Sequence, residues 1–308
     1  MKLAFGLTKF VLDAPHVVTI GNFDGVHLGH QHVIAQARAA ARARGLPTCV
    51  VVFEPQPREY FAAQRGQLAP ARLMTLSSKV HALTELGVDR VWCLKFPSVR
   101  TLTADAFVSE VLVQRLRAAH VIVGDDFRFG CDRRGDFARM VTLGGDAGFS
   151  VAQSETLTVA GQRVSSSRIR EALERHDFAK ASALLGRPYQ FVGKVCYGRQ
   201  LGRTLGFPTA NIRLNRRPPI SGVFACEAMT SEGQRYTAVV NIGTRPTVSG
   251  VGVWLEVHLH QASVELYGHA LTVIPRFFLR PEQKFASVEA LREGIAADSA
   301  RALALLTA

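Results

Sequence analysis

Hydrophobic and polar positions follow two different rhythms along the 308-residue chain. From Val17 to about Leu185, short runs of β-branched residues alternate with amphipathic stretches of helical period. This alternation is typical of a parallel sheet with crossover helices, so an α/β domain is expected there. The predicted strands are 17–20, 49–53, 90–94 and 120–123, and the predicted helices include 31–44, 76–86 and 104–116.

After Gly186-Arg187-Pro188 the pattern changes to closely spaced apolar runs separated by Gly, Pro, Asn or Ser. Such runs without intervening helices favour an antiparallel barrel or sandwich. The sequence therefore predicts two domains, 1–186 and 187–308. The strands expected in the second are 189–197, 223–229, 236–242, 254–260 and 271–278, closed by a helix over 288–306.

Composition indicates the class of protein but gives little information about its ligand. Hydrophobic residues make up 47% and charged residues 20%, as in soluble globular proteins. No apolar run is long enough for a membrane span and no secretion signal is recognisable, so no membrane partner and a cytoplasmic location are expected. The five cysteines are widely spaced, which favours reduced thiols. The net charge of +12 suits nucleic acid or smaller polyphosphates and does not choose between them.

The most specific motif is GNFDGVHLGH, residues 21–30, where a predicted strand leads into a predicted helix. A helix N-terminus favours an anion, and glycines let the backbone approach it. The imidazoles of His27 and His30 can donate hydrogen bonds to phosphate oxygens. We therefore expect a nucleotide phosphate site here. Its further members would be Gly21, Phe23, Asp24, Gly25 and Gly29.

A second cluster, SSSRIR at residues 165–170, opens another predicted helix. Its serines either cap that helix or, with the arginine, form an anion cradle. Paired with the two-histidine motif, the cluster resembles the nucleotidyltransferase superfamily, with Ser167 where threonine is usual. The resemblance implies a Rossmann-like domain in which Ser166 and Ser167 bind phosphate and Arg170 acts in catalysis beside His27 and His30.

A glycine-rich stretch, GRQLGRTLGFPTANI at residues 198–212, lies in the second half. Its three glycines at four-residue spacing form a loop able to wrap phosphates, while Thr209 and Asn211 offer oxygen ligands for Mg²⁺. The expected phosphate-binding residues are Gly198, Gly202, Arg203, Gly206 and Pro208.

Taken in order, these motifs with GDDFRFG, LLGRPY, GVFA, NIGTRPTV, LEVHL and LRPEQKF resemble the family of bifunctional bacterial riboflavin kinases and FAD synthetases over nearly the whole chain. The resemblance implies phosphorylation of riboflavin to FMN with release of ADP, then adenylyl transfer from a second ATP to give FAD, both with Mg²⁺. Glu256 matches the base for the riboflavin hydroxyl. The flavin-binding residues implied are Asp126, Phe127, Phe129, Arg280 and Glu282.

Asp126 stands where relatives often have asparagine, and its role stays open between a flavin or nucleotide contact and none. Two alternatives remain for the whole chain: an enzyme with one active half, or a basic nucleic-acid-binding protein. No nucleic-acid partner is expected, because no segment resembles a known nucleic-acid module. A monomer or a weak homo-oligomer is expected.

Overall fold

The computed structural model describes residues 2–6, 12–197, 207–247, 250–260 and 266–307. The chain forms two compact units. The first comprises Met1–Pro70 and Leu76–Ser165, and the second comprises Ala71–Thr75 and Ser166–Ala308.

The first unit is built on a six-stranded parallel sheet of order β1-β4-β3-β2-β5-β6, which confirms the predicted α/β architecture. The strands are β1 Lys2–Phe5, β2 His16–Ile20, β3 Thr48–Glu54, β4 Arg90–Lys95, β5 Ala118–Val123 and β6 Ser150–Gln153, with a separate hairpin of β7 Thr158–Val159 and β8 Gln162–Arg163. The helices are α1 Leu28–Arg44, α2 Pro57–Gln64, α3 Leu76–Glu85, α4 Phe96–Val99, α5 Ala104–Ala106 and α6 Phe137–Ala147.

Burial explains why the central strands read as continuous apolar runs. Every residue of β2 is buried, and so are the first five residues of β3. This is expected for a parallel sheet covered on both faces. The strand order reverses where β2 and β5 lie side by side, and such a switch point opens a crevice at the carboxyl ends of the strands.

The predicted helix 104–116 exists with a different geometry. After α5 the chain continues as a π-helix over Phe107–Arg115, and the Leu116 N–H donates to the Val111 carbonyl five residues earlier. Its buried residues form two adjacent pairs that begin four residues apart and lie on one face of the helix. They are Phe107, Val108, Val111 and Leu112.

The second unit is a closed antiparallel barrel of order β10-β13-β12-β11-β14-β9, as the sequence predicted. Strand β10 completes the closure, although the sequence analysis treated that segment as loop. The strands are β9 Phe191–Cys196, β10 Ala210–Leu214, β11 Gly222–Thr230, β12 Arg235–Thr247, β13 Gly250–Leu259 and β14 Ala270–Arg280, followed by a C-terminal helix Val288–Thr307.

Two short helices, α7 Ser166–Glu174 and α8 Phe178–Leu185, belong to the barrel unit. Between them the ring of His176 stacks on Phe278 of β14 at a centroid distance of 3.9 Å, and Phe178 meets Phe224 of β11 edge-on. The compact units therefore divide at Ser166, whereas the sequence analysis placed its boundary near residue 186.

Two histidines of the sheet, His16 of β2 and His120 of β5, are buried in the first unit. The Nδ1 atom of His16 lies 2.6 Å from the Ala14 carbonyl oxygen, and Nδ1 of His120 lies 2.7 Å from the Ser150 hydroxyl. Burial lowers the pKa of both rings below the usual value. Folding therefore favours their neutral forms.

We expect the free energy of unfolding to fall as pH is lowered through about 6.5, the ordinary histidine pKa, because the unfolded chain then binds protons that the folded one excludes. Each excluded proton contributes at most about 1.4 kcal/mol per pH unit. Urea unfolding between pH 7.5 and 5.5 measures this slope. The His120→Asn variant should show a shallower slope than the parent, and an unchanged slope would contradict the assignment of that proton to His120.

We also expect residues 166–308 to unfold at a higher temperature than residues 187–308. The shorter fragment lacks His176 and Phe178. The rings of Phe278 and Phe224, on which these two residues pack, therefore become exposed. Calorimetry of the two purified fragments measures their unfolding temperatures. Both fragments lack residues 71–75 of the second unit, so the difference between them reports the effect of residues 166–186. Equal unfolding temperatures would favour the boundary near 186.

Candidate active sites

A strained turn connects β2 to α1 at the switch point of the first unit. Phe23 and Val26 both have positive φ, 46° and 42°. Such a backbone costs a non-glycine residue about 1–3 kcal/mol and persists where its surroundings enforce it. Gly21 starts the turn, and a Cβ there would lie 3.1 Å from the Phe23 ring. The predicted Asp24 and Gly25 also lie in this turn, with Asp24 only 2% exposed.

The two histidines of the motif are brought together at the N-terminus of α1. His27 is the N-cap, and its Nδ1 accepts a hydrogen bond from the His30 backbone N–H at 3.3 Å. The rings stack with a centroid distance of 3.6 Å and an interplanar angle of 16°. A Cβ on Gly29 would come within 3.3 Å of the His27 ring. The spacing of the motif therefore places both imidazoles side by side at the positive end of the helix dipole.

His30 is held in its neutral form. Burial is the main cause of a pKa well below the usual value, and the neighbouring His27 and Lys79 lower it further. The Nδ1 atom of His30 is buried and has no hydrogen-bond partner among the described residues. A neutral imidazole has one donor and one acceptor nitrogen, so this ring can act toward phosphate as a hydrogen-bond donor without being a cation.

A lysine that sequence analysis did not identify supports the same turn. Lys79 of α3 is 0% exposed, and its Nζ donates a hydrogen bond of 2.6 Å to the Asn22 carbonyl oxygen. An ammonium group buried this fully has lost its hydration, which is expensive. In the sequence, Lys79 resembles an ordinary polar residue of an amphipathic helix, because only the tertiary packing shows that it points inward.

The loop after β5 carries the predicted flavin residues of the first unit. Phe127 and Phe129 stack at a centroid distance of 5.4 Å. Phe129 belongs to the core and is 6% exposed, so Phe127 is the ring with more surface for a ligand. The Asp126 carboxylate is largely exposed and lies 3.2 Å from the Arg163 guanidinium, which also pairs with Asp125.

An aromatic cluster after β3 and β4 was also missed. Tyr60 and Phe61 of α2 both meet the ring of Phe96 edge-on, at centroid distances of 5.5 and 5.7 Å. Phe61 is 43% exposed, and the Arg100 guanidinium lies over the Tyr60 ring. Aromatic rings of this kind offer a planar ligand a stacking surface.

The predicted serine and arginine cluster opens α7 and so belongs to the second unit. Ser166 and Ser167 are its first two residues, and the Nε of Arg170 donates to the Ala71 carbonyl oxygen at 2.6 Å. Their expected action together with the two histidines remains a prediction.

The barrel aligns three polar side chains on neighbouring strands. Asn211 of β10 is the register partner of Glu256 of β13, and Glu256 is the register partner of Asn241 of β12. Directly opposed residues have Cβ atoms roughly 4.5–5.5 Å apart. The residues that alternate with them line the barrel interior and are at most 1% exposed: Ile212, Leu255 and Ile242. The polar row therefore lies on the outer face, and we call it the Asn-Glu-Asn row.

The predicted metal ligands fit a hard cation. Asn211 is 3% exposed, its Nδ2 donates to the Thr209 carbonyl at 3.3 Å, and its Oδ1 is buried with no partner among the described residues. An unpaired amide oxygen with a carboxylate on the neighbouring strand is the kind of oxygen donor set that Mg²⁺ prefers, and Thr209 lies two residues before Asn211 in the sequence. The Pro208 carbonyl accepts a hydrogen bond of 3.0 Å from His258 Nδ1. Gly198, Gly202, Arg203 and Gly206 lie outside the described residues.

The remaining predicted flavin residues follow β14. Arg280 makes a two-pronged ion pair with Asp298 of the C-terminal helix, with Nη2 and Oδ2 2.7 Å apart. The Glu282 carboxylate accepts a hydrogen bond of 3.2 Å from Asn241 Nδ2. Glu282 therefore contacts the Asn-Glu-Asn row, whereas the charge of Arg280 is used to hold the C-terminal helix.

Comparison with known proteins connects both sites to named families. The FAD synthetase family profile matches residues 11–168, and the riboflavin kinase profile matches residues 185–306. The gap between them contains most of α7 and α8, so the boundary near residue 186 remains a prediction. No described helix is long and apolar enough to cross a membrane.

Relatives match along almost the full length. The bifunctional riboflavin kinase/FMN adenylyltransferase of Pseudomonas fluorescens is 49% identical over 94% of this chain and 92% of its own, and that of Escherichia coli K12 is 45% identical over 97% and 96%. A crystal structure described as a macrolide-efflux protein from Streptococcus pneumoniae has a TM-score of 0.74 and 28% identity over 94% of both chains. The chain therefore belongs to the family of bifunctional riboflavin kinases/FMN adenylyltransferases.

Proposed function

We propose that this chain makes FAD in two steps, with riboflavin phosphorylation at the Asn-Glu-Asn row and adenylyl transfer to FMN at the histidine turn. Matches to both family profiles support the pair of activities. The observation that carries the assignment of sites is the alignment of Asn211 and Glu256 on adjacent strands. It joins a metal-binding oxygen to a carboxylate, although the two residues are far apart in sequence.

In the kinase reaction, the Glu256 carboxylate takes the proton of the riboflavin 5′-hydroxyl. The hydroxyl oxygen then forms a bond to the γ-phosphorus of ATP, the bond to the bridging oxygen breaks, and ADP leaves. An alcohol is a weak nucleophile, so a base within hydrogen-bond reach accelerates the step. Asn211 and Thr209 would hold Mg²⁺, which when bound neutralises charge on the phosphates. The predicted glycine loop would cover those phosphates.

In the second reaction, a phosphate oxygen of FMN attacks the α-phosphorus of a second ATP, and diphosphate leaves. The attacking phosphate is already ionised at neutral pH, so no side chain needs to remove a proton. Catalysis then depends on orientation and on hydrogen bonds to the charged oxygens. The low pKa of His30 supports a donor role for that ring. His27 completes the donor pair of the proposed phosphate site. The part expected of Ser166, Ser167 and Arg170 in this reaction rests on the sequence resemblance alone.

The flavin ring of FMN would bind near Phe127, with Asp126 at the rim of the site. The cytoplasmic location, the monomeric or weakly associated state and the lack of a nucleic-acid partner remain predictions. Incubation of the full chain with riboflavin, ATP and Mg²⁺, followed by chromatography for FMN and FAD, tests the proposed function. Formation of FMN without FAD, or of FAD only from supplied FMN, would favour one active half.

We expect Glu256→Gln to lower riboflavin phosphorylation by about 10²- to 10⁴-fold, the usual contribution of a general base. Asn211→Ala should also abolish it, because the metal loses a ligand. Both variants should still convert supplied FMN to FAD, since Asn211 and Glu256 lie on barrel strands and the histidine turn lies in the first unit. Glu232→Gln, an exposed turn residue of the same barrel, is the matched control. Loss of both activities in a folded variant would contradict the separation of sites.

We expect His30→Asn to retain clearly more adenylyl transfer than His30→Ala. Asparagine keeps a donor, whereas the alanine variant should lose about 10²- to 10³-fold, typical of one removed transition-state donor. Diphosphate release from FMN and ATP measures the effect, and riboflavin phosphorylation serves as the control. Equal losses in the two variants, with ATP binding preserved, would show that the imidazole transfers a proton.

A further inference from the structure

The amide of Asn241 is held in one orientation. Its Nδ2 donates to the Glu282 carboxylate. An ionised carboxylate accepts hydrogen bonds and cannot donate them, so the nitrogen must face Glu282 and the oxygen must face away from it. The exposed side chain of Glu282 reaches this position across Gly243, where a Cβ would overlap the carboxylate. Gly243 stands two residues after Asn241 on β12, and therefore on the same face of the strand.

The amide oxygen that faces away from Glu282 is left without a donor. Asn241 Oδ1 is buried and has no hydrogen-bond partner among the described residues. A buried acceptor in this state costs about 1–3 kcal/mol, and proteins rarely keep one that no ligand or water satisfies. The unpaired buried oxygen on the strand next to Glu256 is therefore available to a ligand that supplies a donor.

The same arrangement occurs on the other side of Glu256. Asn211 also donates its Nδ2 to an acceptor and leaves its Oδ1 buried and unpaired among the described residues. Two amide oxygens thus flank one carboxylate across three strands. A surface composed of acceptors binds cations and hydroxyl groups. With the cation assigned to Asn211, the oxygen on β12 is available for a hydroxyl.

We propose that Asn241 is a substrate-contacting residue of the kinase site, whose Oδ1 accepts a hydrogen bond from the 4′-hydroxyl of riboflavin, and that Glu282 is the positioning residue that fixes this amide. The inference rests on the proposed function, because it takes Glu256 as the base for the neighbouring 5′-hydroxyl. Adjacent hydroxyls of the ribityl chain reach adjacent strands of the barrel. The contact selects a polyhydroxylated chain over a shorter or deoxygenated one.

A substrate–variant cycle tests the contact with Asn241. Riboflavin and 4′-deoxyriboflavin are compared as substrates for the full-length parent and for Asn241→Ala, with kcat and KM measured separately. We expect the parent to lose on the order of 3- to 10-fold in kcat/KM with the deoxy analogue, as for one neutral hydrogen bond. The variant should lose a similar factor with riboflavin and nothing further with the analogue. Losses that multiply would overturn the proposal.

The positioning role of Glu282 needs its own comparison. Glu282→Ala should lower kcat/KM for riboflavin in the parent background but not in Asn241→Ala, and Glu282→Gln, which keeps an acceptor, should lose less than Glu282→Ala. Equal losses for the Gln and Ala variants, or a full loss in the Asn241→Ala background, would overturn this role. Asn215→Ala is the matched control, since this exposed asparagine lies just beyond β10.

Conversion of supplied FMN to FAD and the thermal unfolding temperature establish that each variant is folded. The outcome for the contact is separable from the outcome for the proposed function. A parent that phosphorylates riboflavin but shows multiplying losses contradicts only the contact with Asn241. A parent that does not phosphorylate riboflavin at all contradicts both.

Discussion

The register of β13 against its two neighbours is the constraint on which the kinase site depends. Side chains of a strand alternate between faces, so a slip of one residue would turn Glu256 into the barrel interior and bring Leu255 or Val257 outside. Both of these apolar residues are 0% exposed. Their burial therefore specifies the register, and the polar row follows from it. Because the barrel is closed, each strand must also pair in register with two neighbouring strands at once.

The proposed phosphate site of the first unit depends on a strained turn instead of a strand register. Two non-glycine residues of this unit that have left-handed backbone, Phe23 and Val26, lie in the turn after β2. The fully buried β2 and the Lys79 contact to Asn22 hold that turn from two sides. Because the turn ends in the N-cap His27, the backbone conformation also sets the ring stacking with His30. Because burial keeps the pKa of His30 well below the usual value, its neutral ring avoids the repulsion that two stacked cations would produce.

Local sequence patterns predicted much of this architecture, and the failures have a common physical origin. The central strands and the barrel follow from periodicity, because each element buries a face of its own. The alignment of Asn211 with Glu256 could not be predicted, since β10 and β13 are far apart in sequence and their pairing depends on the closed barrel. Strand β10 was missed because the stretch that ends at Ile212 was interpreted only as a phosphate loop with metal ligands. Lys79 was missed because a single lysine in an amphipathic helix does not reveal which way it points.

Lys79 has one more consequence. A primary amine that is 0% exposed is shielded from acylating reagents, unlike the surface lysines of the same chain. It can react only when α3 separates from the turn that contains Asn22, since this packing closes over its Nζ. The rate at which Lys79 is labelled therefore depends on how often the packing of α3 against this turn opens. This labelling rate can therefore be used to measure the local dynamics of the turn.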